Sequence, residues 1–164
     1  MAQFHSTNWM ECLLAQLEVL PRQDLLRMLE ASSLAVRAKH AERLAAVYSR
    51  GALDAAGRTV AEEAFRLLRY DSEILVRRLL AECLKHALLL PRDIALALAT
   101  DKAEIAVPFI EDSPVLGEQE LLVILHEHPG PHRLAIARRR DLPERVSEAL
   151  YRCGDAAAAT STFA

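Results

Sequence analysis

The residues best suited to chemistry fall in one short run, His126-Glu127-His128-Pro129-Gly130-Pro131-His132. Three imidazoles and a carboxylate within seven residues are the raw material of a metal site. Zinc takes three or four ligands in fixed geometry, usually from HxxxH on a helix or from CxxC in a knuckle. His126 and His128 are two positions apart, so on a helix they diverge. They converge only if the helix ends near 126, which Pro129-Gly130 permits. The preferred reading is a polar turn between helices. His126, His128 and His132 stand as the metal candidates, and no cofactor is expected.

Arginines form the second set. Arg37, Arg77 and Arg133 share one position of a repeated sequence pattern. Aligned on one side of stacked repeats, they would grip carboxylates or phosphates. In the preferred reading each arginine instead pairs with an acid of the next repeat and holds the stack together. Arg138-Arg139-Arg140, with Arg133 and Arg145 nearby, is a basic patch. It invites a phosphate backbone, but short runs of cations more often end a helix, where they complement its dipole. There is no Gly-rich phosphate loop, GxSxG or HExxH, so no catalytic residue is assigned and no enzyme is expected. Cys12, Cys83 and Cys153 lie in apolar helical contexts and read as core thiols.

The elements that must position these residues are helices. The chain has 164 residues, of which 52% are hydrophobic and only 5% aromatic, with Ala and Leu abundant. Those two favour helix, while β-branched and aromatic residues favour strands. Apolar periodicity predicts about ten helices, at 7–19, 22–30, 34–49, 54–69, 73–88, 92–99, 102–111, 118–127, 131–140 and 143–153. Pro91, Pro131 and Pro143 stand at helix starts, where proline is tolerated. Pro108 falls inside a helix and should kink it or shift its start. The segment 73–88 is apolar around most of its circumference, which implies burial between neighbours.

Several of these segments repeat. Ser-x-x-x-Val-Arg-x-x-x-Ala-x-x-Leu occurs at 32–44 and again at 72–84. Ser or Asp caps the helix, Val faces the core, Ala admits a close neighbour, and Leu closes the face. A third copy has Asp101 and Ile105 but Ala106 in place of Arg. A fourth keeps Arg133 and Ala137, with His132 in place of Val. Leu90-Pro91-Arg92, Leu116-Gly117-Glu118 and Leu142-Pro143-Glu144 start 26 residues apart. Repeats of this length on helical patterns imply stacked helix pairs.

With these motifs the chain resembles HEAT-like repeat proteins, in particular the short bacterial type related to leucine-rich-repeat variants. Asp71-Ser72-Glu73-Ile74-Leu75-Val76-Arg77-Arg78-Leu79-Leu80-Ala81 carries the broader likeness. Ile105 to Leu116, followed by Leu134 to Leu142, is similar to a bacterial family of unknown function. The resemblance spans roughly 30 to 155. It implies an all-α fold, a right-handed α-solenoid of antiparallel helix pairs, and no established activity. Members of that family run longer, which implies a short member or a piece of one.

The expected organisation is an N-terminal helical cap at 1–31, repeats at 32–155, and a tail at 156–164 that is frayed or begins a truncated helix. The change from a period near 40 to one of 26 places an expected groove near residue 90. A net charge of −3 argues against a nucleic-acid protein. Sparse cysteines suggest a reducing compartment. The start lacks the basic-then-apolar pattern of a leader, and no apolar stretch reaches the ~18 residues of a membrane span. A cytoplasmic bacterial scaffold follows. Its expected partner is a protein, held on the groove of the second helices, with Arg37, Arg77, Arg133, Arg138 and Arg139 as contacts. A homodimer through the terminal repeats, near Trp9, is a further expectation. Nucleic acid bound by the repeated arginines is the alternative.

Overall fold

The computed structural model describes residues 33–161, with side chains as far as 154. The helices expected at 7–19 and 22–30, the cap at 1–31, Trp9 and Cys12 lie outside the described residues. Among the described residues there are eight helices and no strand, fewer than the ten expected. They are α1 (Leu34–Ser49), α2 (Ala55–Leu68), α3 (Ile74–Leu84), α4 (Arg92–Ala99), α5 (Ala103–Asp112), α6 (Glu118–Glu127), α7 (Pro131–Ala137) and α8 (Glu144–Ser161). None is long and apolar enough to cross a membrane. The chain divides into two compact units, residues 1–83 and 84–164.

In the first unit, α1 packs on α2 through small side chains. Ala38, Ala41, Leu44, Ala45 and Tyr48 form the buried face of α1. Ala61, Ala64, Phe65 and Leu68 answer from α2. The Tyr48 ring meets Phe65 edge to face, 5.2 Å between centroids. Its hydroxyl donates to Glu62 at 2.9 Å. Burial and that acceptor raise the Tyr48 pKa well above the usual phenol range. Asp54 caps α2 by accepting from the Gly57 N–H at 2.8 Å.

Two contacts align α1 with α3. Arg37 reaches Asp71, and the Ser49 hydroxyl donates to the Cys83 carbonyl at 2.7 Å. Both partners lie 34 residues further along the chain, so the two helices run side by side in one direction. The repeated Ala and Leu of the first two copies face the core, with Ala41, Leu44, Ala81 and Leu84 buried, whereas Ala137 of the fourth copy is exposed. The repeated Val is not uniform. Val76 is buried, but Val36 is 41% exposed, because its row on α1 lies beside the face that meets α2.

α3 is also shorter and less enclosed than its composition suggested. It stops at Leu84, where the Ala87 N–H bonds back to the Leu84 carbonyl. The following turn buries Ala87 and Leu90 and leaves Leu88 and Leu89 exposed. Leu75 is exposed too.

The second unit shows the 26-residue period directly. α4, α6 and α8 start at Arg92, Glu118 and Glu144, each behind a Pro or Gly. α4 packs on α5, α5 on α7, α6 on α7, and α8 on both α6 and α7. Ile94, Leu98, Ile105, Phe109, Ile110, Leu121, Ile124, Leu125, Ile136 and Val146 are buried there. α5 continues through Pro108 rather than restarting at it. The proline removes the donor for the Glu104 carbonyl, and Glu104 lies at an exposed position where water can serve instead. α7 ends at Ala137, earlier than expected, and α8 runs on to Ser161.

Candidate functional site

The two sets of candidates have different fates. Arg37 makes a two-point contact with the half-buried Asp71, Nε to Oδ2 at 2.6 Å and Nη2 to Oδ1 at 3.2 Å. That hydrogen bond is the main cause of a raised Arg37 pKa, opposed by desolvation. Asp71 also accepts from the Glu73 N–H at 2.9 Å, so one carboxylate starts α3 and anchors α1. Arg77 donates to the Asp71 carbonyl. The structure therefore brings Arg37 and Arg77 together on one residue.

Arg133 and Arg139 follow a rule of their own. The last four carbonyls of a helix have no intrahelical partner, and the next N–H groups often serve them. Four residues after Leu125 stands Pro129, and four after Ile110 stands Pro114. Neither proline has an N–H to give. Arg133 Nε donates to the Leu125 carbonyl at 2.7 Å. Arg139 Nη1 donates to the Ile110 carbonyl at 2.6 Å and to Ser113 O at 3.0 Å. Arg139 is buried, which removes it from the expected surface patch. Arg138 and Arg140 remain exposed, Arg138 lying 3.2 Å from Glu111.

Ion pairs tie successive repeats of the second unit at spacings close to the 26-residue period. Lys85 meets Asp112, Glu111 meets Arg138, Glu118 meets Arg145, and Arg92 meets Glu120, at 3.0–3.5 Å. The partners are 27 or 28 residues apart. All four pairs flank the connections that lead into α4, α6 and α8. Such pairs are weak when exposed, roughly 0–1 kcal/mol each.

The histidines separate. His132, at the Val position of the fourth repeat copy, is buried and its Nε2 lies 2.9 Å from the Asp101 carbonyl. A carbonyl only accepts, so Nε2 carries the proton. Its ring stacks on His128 with centroids 5.1 Å apart. The two histidines thus join the turn after α6 to the turn before α5. Together with the contact from Glu111 to Arg138, this ties α5 and α7 at both ends, so they run in one direction. His126 turns elsewhere. No group of three or more His, Cys, Asp or Glu placed to hold a metal occurs among the described residues.

His126 lines a groove of about 430 Å³ between α6 and α8. Leu122 and His126 come from α6; Arg145, Glu148, Ala149, Arg152 and Cys153 come from α8. Arg145 reaches Glu118 at 3.0 Å and Arg152 reaches Glu148 at 3.5 Å, and both arginines are more than three-quarters exposed. Cys153 is half-buried in this lining rather than in the core, while Cys83, also half-buried, has its thiol pKa raised by burial and then by Glu42 and Glu82. Sequence reading missed Glu148 and Arg152 as site residues. The signal was present as Arg145, Glu148 and Arg152 at i, i+3 and i+7, one face of a helix.

The chain is an all-α protein whose second unit repeats a helical register. The model of a family described as an uncharacterised protein conserved in bacteria (DUF2336) matches residues 105–164. That span covers most of α5 and all of α6 to α8, includes the groove, and holds both stretches that carried the narrower resemblance. Comparison with curated proteins and with solved structures finds no match.

Proposed function

We propose that this chain is a HEAT-like helical-repeat module of the bacterial cytoplasm that acts by binding a protein partner. The observation that carries the reading is the constant 26-residue register of α4, α6 and α8, with α6 and α8 packed side by side around an open groove. Stacked repeats present outward side chains in rows, and such rows suit extended binding surfaces better than enclosed chemistry. Val123, Leu134 and Tyr151 are exposed on α6, α7 and α8, as a contact surface with apolar content requires.

The repeated arginines support the fold in this reading, since Arg37 pairs with Asp71 and Arg77 and Arg133 serve internal carbonyls, as Arg139 does outside the repeat. Cross-linking the full chain in extract of its host, followed by mass spectrometry and binding with purified partner, tests the proposal. A protein that binds the purified chain and stays bound as salt rises is the expected result. Recovery of nucleic acid, with affinity falling steeply with salt, would overturn it.

A further inference from the structure

The groove between α6 and α8 has a definite electrostatic character. Arg145 and Arg152 stand seven residues apart on α8, two turns of one helical face, and His126 stands opposite on α6. Glu148 is the single carboxylate in the lining. Leu122, Ala149 and the Cys153 side chain supply apolar surface between the charges. The ion pairs that Arg145 and Arg152 make are exposed, and such pairs exchange partners at little cost. A guanidinium at each end of a narrow apolar strip matches carboxylates about two helical turns apart, with small apolar side chains between them.

Resting on the protein-binding reading above, we infer that this groove holds an acidic amphipathic segment of the partner, with Arg145 and Arg152 receiving its carboxylates. The groove lining contains no Phe, Tyr or Trp ring for a base to stack on. Glu148 and Glu118 hold the two arginines now, and an acidic peptide binds by supplying carboxylates in their place.

Two labelled peptides of about 16 residues, one alternating Glu with Leu and Ala and the other with Gln at every Glu, probe the groove by fluorescence anisotropy. The acidic peptide should bind the full chain, and the Gln peptide at least about tenfold more weakly. Arg145→Gln with Arg152→Gln should weaken the acidic peptide by about tenfold or more, while Arg138→Gln with Arg140→Gln changes it less than about twofold. Ala149→Trp should fill the groove and abolish binding. Circular dichroism of each variant confirms the fold.

Equal binding of the two peptides, or no binding up to about 1 mM, overturns the inference. So does a loss caused by the Arg138 and Arg140 changes rather than by the groove changes. Tighter binding of a single-stranded oligonucleotide than of the acidic peptide also overturns it. A purified partner that binds the Arg145→Gln, Arg152→Gln variant as well as it binds the native chain would sink the groove assignment and leave the protein-binding reading standing.

Discussion

At Arg139 one guanidinium closes the end of α5, because Pro114 cannot donate to the Ile110 carbonyl. Removing it strands two acceptors in a buried place. Arg139→Met should therefore destabilise the chain by about 3 kcal/mol, read from urea unfolding. A neighbouring change should do the opposite. The Ser113 hydroxyl is buried with no hydrogen-bond partner among the described residues, so Ser113→Ala should be neutral or stabilising by up to about 1 kcal/mol in the same assay. Tyr48 sets a pH dependence. Its folded pKa is raised, so its contribution is complete below the ordinary phenol value of about 10 and is lost as pH climbs beyond it. Unfolding free energy should fall over that alkaline range, and Tyr48→Phe should flatten that part of the slope.

The elements owe their limits to a few backbone facts. Gly130 sits just before α7 with φ of +79° and ψ of −121°, a conformation outside the left-handed helical region that costs an L side chain about 1–3 kcal/mol. Nothing lies within 4 Å of where a Cβ would stand, so Gly130→Ala should lose about that amount from the backbone alone, read from the urea midpoint. Pro108 is the reverse case. It stands inside α5 and denies the Glu104 carbonyl its donor. Pro108→Ala should stabilise the chain by about 1 kcal/mol, raising the thermal midpoint. A loss of stability would mean that the packing of Pro108 outweighs the missing hydrogen bond.

At the scale of the whole molecule, the second unit carries its own core. Phe109, Ile94, Leu98, Leu121, Ile124 and Ile136 are buried within residues 84–164. A chain of those residues should be helical by circular dichroism and unfold cooperatively on heating. A non-cooperative melt would show that these repeats need the first unit to hold them together, as short repeat arrays can. The ion pairs between repeats should add little to this stability, because exposed pairs contribute roughly 0–1 kcal/mol.

Much of the helical plan was legible in the residues alone. The bounds of α1, α4 and α6, the 26-residue register and the burial of the repeated Ala and Leu in the copies at 32–44 and 72–84 all follow from patterns that a local window contains. Apolar spacing and proline act within a turn or two, so sequence reports them faithfully. Other features depend on residues far apart in the chain. Pro114 announces an orphaned carbonyl, but only the packing of α5 on α7 shows that Arg139 supplies the donor. The same packing draws His132 to Asp101 and leaves His126 to the α6–α8 groove, which divides a histidine run that reads as one cluster. A side chain's type states what it can bond. Which partner it finds depends on the helices brought beside it.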